Sequence, residues 1–240
     1  MLSLVDIKSM DNYTYAHSVN VAVISLVLGI SLNLPKRHLK YLCIGALIHD
    51  IGKSFIPKEI LQKPSRLTED EFKIIENHPK EGYDFIKKTY NFSSHINSIV
   101  LQHHERFDGL GYPNKLLGEE INHLARIVSV ADVYDALTSD RPYKRALCPS
   151  DAVEYLMSNA GSAFDFNIVN IFSKVIIPFP AGTIVSLSNG DIGIVKETLP
   201  NFPLRPIIEI IKSDNSKKIG SIINLIEKLS VVISNIQYEV

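Results

Sequence analysis

The chain has 240 residues, enough for one sizeable core and a small second unit, and 25 basic against 26 acidic residues leave a formal net charge of −1. So even a balance excludes a broad electrostatic grip on nucleic acid, and no DNA partner is expected. The two cysteines, Cys43 and Cys148, provide no disulfide framework and fit a reducing, cytoplasmic interior.

In chain order, the first marked segment is Val19 to Leu34, apolar but interrupted by Asn20, Ser25, Ser31 and Asn33. A membrane-spanning helix needs about 20 predominantly apolar residues, and no basic, apolar, small-residue succession of a signal peptide precedes it. The segment reads as a core helix, and no membrane partner is expected. Helical periodicity continues over Leu39–Ile51. Thr68-Glu69-Asp70-Glu71 has capping-box form, and Phe72 and Ile75 behind it supply an apolar face that ends at His78-Pro79, where proline stops the helix. Further helices are expected over His95–His104, Leu124–Ser139 and Pro149–Asn159.

Pro178 and Pro180 end the helical part. Thr183–Leu187 and Ile192–Lys196 read as strands joined by a hairpin at Asn189-Gly190, both residues that tolerate positive φ. Arg205–Ile211 and parts of Ile222–Ile233 add candidate strands. The fold class is therefore mainly α: a helical bundle over residues 1–177 and a small, mostly-β appendage over 178–240.

Residues able to bind metal recur beside apolar helical stripes. His17 heads Val21, Ile24 and Leu28; His49 ends Leu42 and Ala46, with Asp50 next and Lys53 one turn on. His78 lies three residues beyond Ile75; His103 and His104 close the stripe Ile96, Ile99, Val100; Asp132 shares a face with Val128 and Asp135. A single imidazole so placed is ordinarily a hydrogen-bonded core residue. Burying all of these without a cation would cost several kcal/mol each in desolvation or altered ionisation. Mixed imidazole and carboxylate donors suit iron, manganese, zinc, nickel or cobalt, whereas calcium or magnesium favours an all-oxygen shell. Asp50, directly after a histidine, is placed to bridge two ions. Such a pair, about 3.5–4 Å apart, shares a hydroxide and holds the attacking and leaving oxygens of a phosphoryl group. This is a hydrolase reading.

His49-Asp50 resembles the pair that names the HD superfamily of metal-dependent phosphohydrolases. The run His103-His104-Glu105-Arg106-Phe107-Asp108-Gly109-Leu110-Gly111-Tyr112-Pro113 is more specific, and looks like the signature of the HD-GYP family, which hydrolyses the bacterial second messenger cyclic di-GMP. Ile51-Gly52-Lys53 with Ile56-Pro57, Glu76-Asn77-His78-Pro79, and the block from Ala131 to Tyr143 match further family motifs, so the resemblance covers about residues 12–175.

The resemblance implies two divalent ions, iron or manganese first and zinc, nickel or cobalt as alternatives. His17, His49, Asp50 and Asp132 would surround one, and His78, His103 and His104 the other, with Asp50 bridging. Lys53 would face the scissile phosphate. Arg141 and Lys144 look like family contacts to the ligand's phosphate and guanine groups. Asp135 would orient a histidine ligand. Tyr112 either offers its ring and hydroxyl to the ligand or belongs to a loop that merely caps the helix end. The same Gly111-Tyr112-Pro113 loop is the candidate contact for protein partners. His38, His95 and His123 match no ligand position, and Arg126 and Arg145 read as solvated or paired.

One departure concerns Tyr13, which stands where some family members carry a glutamate supporting a third metal. A phenol with a pKa near 10 cannot replace a bridging carboxylate at neutral pH. Two metals are therefore expected, with the linear dinucleotide pGpG as main product. The competing expectations are a hydrolase of a related cyclic dinucleotide and a non-catalytic dinucleotide sensor.

Overall fold

The computed structural model describes residues 12–61, 63, 65–139, 146–199 and 202–237, with the side chains of Asn12 and Tyr13 left out. Arg141, Lys144 and Arg145 lie outside the described residues. The chain forms two compact units, Met1–Ala146 with Leu156–Ile171, and Leu147–Tyr155 with Phe172–Val240.

The first unit is helical. Helix α1 (Asn12–Ser31) buries Val21, Ala22, Ser25 and Leu28 and packs on α2 (Lys36–Leu47) and α7 (His123–Thr138). Its length and apolar composition would suffice to cross a membrane, but this face is buried as in a core helix, while Val23 and Ile30 point outward. Asn33 takes φ 54°, the left-handed geometry that asparagine tolerates at a helix end, and Pro35 then opens α2. Helix α2 stops at Leu47, earlier than its periodicity indicated, so His49 and Asp50 occupy a turn. A 3-10 helix (Ile51–Phe55) and the short α3 (Lys58–Leu61) come next.

The capping box forms as expected. Thr68 Oγ accepts from the Glu71 amide at 3.2 Å, and Glu71 accepts from the Thr68 amide at 2.7 Å, at the start of α4 (Glu69–Glu76). The proline reading needs correction. Pro79 does not terminate a helix but sits in the first turn of α5 (His78–Thr89), where its missing N–H is no loss. Phe72, expected on a core-facing stripe, is 48% exposed, because α4 is a short helix with no fully buried residue. Helix α6 (Ser94–Gln102) ends just before His103-His104, and α7 carries a nearly continuous buried run from Leu124 to Asp132.

In the second unit the strands are β1 (Ile184–Leu187), β2 (Ile192–Leu199), β3 (Phe202–Lys212), β4 (Ile222–Asn224) and β5 (Ile233–Gln237). They form one antiparallel sheet in the order β4-β3-β2-β1-β5. Its inward positions, among them Val185, Leu187, Val195, Ile208 and Ile210, pack with Phe179, Leu225 and Ile233. In the β1–β2 hairpin only Gly190 takes positive φ, at 85°; Asn189 instead uses its side-chain oxygen to accept from the Asp191 amide. The turn is thus a type I turn closed by a left-handed glycine, rather than a two-residue turn. Helices α8 (Pro149–Ser158) and α9 (Phe166–Val175) and two short 3-10 helices, Gly118–Glu120 and Ser216–Lys218, complete the described elements.

The turn that carries His49 and Asp50 is held against α5 by one close backbone approach. A Cβ at Gly52 would sit 1.8 Å from the carbonyl oxygen of His78, so only glycine lets the 3-10 helix and the start of α5 meet. Gly52→Ala should lower the free energy of unfolding by about 1–3 kcal/mol through this overpacking, which urea denaturation of the two proteins would read directly.

Candidate metal centre

The tertiary structure brings the seven expected donors together from five places in the chain: α1 (His17), the turn after α2 (His49, Asp50), the start of α5 (His78), the turn after α6 (His103, His104) and α7 (Asp132). Asp50 stands at the middle. Its Oδ2 lies 3.7 Å from His17 Nε2 and 3.4 Å from His49 Nε2, and its Oδ1 lies 3.3 Å from His78 Nε2 and 3.7 Å from His103 Nε2. Asp132 Oδ1 faces His17 Nε2 at 3.1 Å and His49 Nε2 at 3.9 Å, while Oδ2 is 4.0 Å from His104 Nδ1. Two cradles result, His17 with His49 and Asp132, and Asp50 with His78, His103 and His104; within each, the donor atoms lie no more than 4.8 Å apart.

The outer ring nitrogens determine what the inner ones can do. Nδ1 of His49 lies 2.6 Å from the Ala46 carbonyl, that of His78 2.7 Å from Ile75, and that of His103 2.9 Å from Val100. A carbonyl only accepts, so each Nδ1 carries the proton and each Nε2 presents a lone pair to the cavity. Nε2 of His78 and of His103 consequently face one another at 3.2 Å without a proton between them. His49 Nε2 and Asp50 Oδ1 are buried without any hydrogen-bond partner. Lone pairs converging on carboxylate oxygens repel unless a cation lies among them, so this donor set fits divalent metal.

The ionisation of the groups points the same way. Burial lowers His49 to about 4, pushes His104 well below the usual imidazole value and lowers His78. Asp50 and Asp132 are held well below the carboxylate range although burial alone would raise them, Asp50 chiefly by the Lys53 charge and Asp132 chiefly by its hydrogen bond to His17. His17 is the exception. Burial lowers it, but bonds to Asp132 and Asp135 and the charges of Asp132 and Asp50 outweigh that and raise it to about 9.

Of the other expected residues, Lys53 Nζ bonds Asp50 Oδ2. Asp135 Oδ2 accepts from His17 Nδ1 at 2.7 Å, and its Oδ1 from Asn20 at 2.8 Å. The Tyr112 ring lies 4.8 Å from that of His104, and burial, with the charges of Asp132, Asp50 and Glu76, pushes its phenol far up. Arg126 is paired with Asp165 at 2.6 Å, and His95 bonds Asn122.

Two contributors were not singled out from sequence. Asn20 is one, three residues after His17 on the same helix. The other is Glu105, buried inside the Gly-Tyr-Pro loop, where its oxygens accept from the amides of Asn114 at 2.7 Å and Leu116 at 3.1 Å. Gly111 passes so close that a Cβ there would lie 2.2 Å from the Arg106 nitrogen. A carboxylate next to two histidines invites a ligand reading, and only the fold shows it turned into the loop.

These features define a class: a helical domain whose helix ends converge on a His/Asp cradle for metal. The family model of the HD domain matches residues 6–168, and the chain belongs to that family. The model of the KOW domain associated with the HD domain matches residues 184–238. The chain is 39% identical over 217 residues to a cyclic di-GMP phosphodiesterase of Pseudomonas aeruginosa, an alignment covering 90% of this chain and 52% of that protein. It is 35% identical over 162 residues to 3'3'-cGAMP-specific phosphodiesterase 3 of Vibrio cholerae, covering 68% of this chain and 35% of that one. The fold is similar to that of an HDG"Y"P protein from Bdellovibrio bacteriovorus, with a TM-score of 0.57 and 23% identity over 70% of this chain and 55% of the other. The chain thus spans about half the length, or less, of the relatives it matches.

Glu105→Ala should remove the two charge-assisted bonds to the Asn114 and Leu116 amides and cost about 1.5–3 kcal/mol for each. Chemical denaturation is expected to show the loss, and proteolysis to fall within residues 105–117.

Proposed function

We propose that this chain is a metal-dependent phosphodiesterase that hydrolyses cyclic di-GMP, mainly to pGpG. The observation that carries the reading is the placement of Asp50, one oxygen toward His17 and His49 and the other toward His78 and His103. His17, His49, Asp50 and Asp132 would hold one ion, and Asp50, His78, His103 and His104 a second, with iron or manganese favoured by the mixed imidazole and carboxylate set. When bound, such a pair supplies Lewis-acid polarisation of a phosphoryl oxygen and lowers the pKa of a water.

The chain's own residues do the rest. Asp50 provides the negative charge that lets two cations sit side by side. Lys53, one turn on and 25% exposed, keeps an ammonium at the edge of the centre, where it stabilises charge growing on the phosphate. Asp135 fixes the ring of His17, as three backbone carbonyls fix those of His49, His78 and His103. Tyr112 sets its ring beside His104, where it can meet a bound ligand. Arg141 and Lys144 are proposed as contacts to the dinucleotide from their motif positions alone.

The 35% identity to a 3'3'-cGAMP-specific enzyme supports a second reading, in which the related cyclic dinucleotide is the preferred substrate. Relative kcat/KM for the two dinucleotides on anaerobically purified, metal-analysed protein decides between them. Absence of turnover of either would leave a dinucleotide sensor.

Asp50→Asn keeps the shape of the side chain but removes its charge. Turnover should fall by more than tenfold, with an unchanged far-UV spectrum and less bound metal by elemental analysis. Activity retained at a tenth of wild type or better would remove Asp50 from its bridging role.

Tyr13 stands in place of a third-metal carboxylate, so the linear product lacks a further anchoring point. Time courses should show pGpG accumulating with two ions per chain. Cyclic di-GMP passing to GMP without pGpG building up would overturn the link to Tyr13.

A further inference from the structure

Phe72 is a large apolar side chain left 48% exposed on α4. It lines an open cavity of about 620 Å³ whose wall also includes Arg66, Glu69, Lys73 and Glu76. Lys73 is paired with Asp70 at 3.3 Å, whereas among the described residues Arg66 and Glu76 engage in no hydrogen bond or ion pair. One cavity therefore offers an aromatic face, a carboxylate and a guanidinium.

The cavity adjoins the metal centre. Glu76 is two residues from His78, so their backbones lie within about 7 Å. Phe72 and Glu76 stand one turn apart on α4, so the cavity sets the aromatic ring and the carboxylate on the same side of that helix.

The three side chains match one base better than the others. Guanine presents adjacent donors, N1–H and the N2 amino group, to a carboxylate, and adjacent acceptors, O6 and N7, to a guanidinium fork. Adenine offers an acceptor and a bare carbon where guanine has those two donors. Stacking on a phenyl ring serves any base. We propose that Arg66, Phe72 and Glu76 form a subsite that recognises one guanine of the substrate and rejects adenine. The subsite rests on the cyclic dinucleotide reading for its place in catalysis, and it accommodates cyclic di-GMP and 3'3'-cGAMP alike because each carries a guanine.

Binding of GMP and AMP to the whole chain, measured by calorimetry, tests the base contacts apart from turnover, since the phosphate is common to both. Wild type should bind GMP at least tenfold more tightly than AMP. Glu76→Gln, which replaces an acceptor by a donor, should erase most of that preference and leave AMP unchanged. Phe72→Ala should weaken both nucleotides about tenfold. Equal affinities in wild type, or a GMP preference untouched by Glu76→Gln, overturn the subsite. In parallel, kcat/KM for cyclic di-GMP should exceed that for cyclic di-AMP, and Glu76→Gln should narrow the gap. Failure of wild type to cleave any cyclic dinucleotide defeats the proposed function instead, whatever the nucleotide ratio shows.

Discussion

The arrangement of the helical unit turns on one carboxylate. Asp50 is 4% exposed and surrounded by four imidazole nitrogens, with Oδ2 toward one pair and Oδ1 toward the other. An ionised carboxylate in such a place would cost several kcal/mol in desolvation if left alone. Lys53 offsets part of that by bonding Oδ2, but Oδ1 has no hydrogen-bond partner and meets only unprotonated nitrogen. The interior is therefore assembled around a cation-shaped requirement, and the rest of the helical unit positions the groups that impose it.

The positioning uses the ends of helices. His49, His78 and His103 each come three residues after a carbonyl in the last turn of a helix, Ala46 in α2, Ile75 in α4 and Val100 in α6. Carbonyls in a last turn lack the intrahelical partner that those further back have. The ring N–H groups satisfy them, and each imidazole is thereby locked with its other nitrogen inward. The helix ends also carry partial negative charge, which favours cations nearby. His17, inside α1, is anchored instead by Asp135 from α7. The different anchor has an electrostatic consequence: burial lowers His49 and His78, which rest on neutral carbonyls, whereas hydrogen bonds to Asp132 and Asp135 outweigh burial at His17 and raise it to about 9.

Close backbone approaches complete the geometry. Gly52 lets the Asp50 turn lie against the His78 carbonyl, and Gly111 lets the Gly-Tyr-Pro loop fold back on Arg106, where Glu105 ties down its amides. Tyr112 is thereby set beside His104. The loop's shape comes from an internal carboxylate and a glycine contact.

Much of this was legible in the residues themselves. Local chemistry determined the capping box at Thr68, the helix α7 with its Asp132–Asp135 face, the turn at Gly190 and the change from helix to strand after Pro180, because caps, periodicity and turn residues act over a few positions. The seven donors were also visible, as titratable side chains repeatedly placed beside apolar stripes. Helix ends were less so: His49, Asp50, His103 and His104 lie in turns, and Pro79 begins a helix that it was expected to end. Periodicity does not register where a last-turn carbonyl finds a ring N–H instead of an amide. Tertiary structure alone decided which oxygen of Asp50 faces which imidazoles, that Asp135 anchors His17 across 118 residues of chain, and that Glu105 turns into the loop, away from the histidines it adjoins in sequence. Those outcomes depend on burial and on contacts between distant segments, and a pattern of neighbours along the chain carries no record of them.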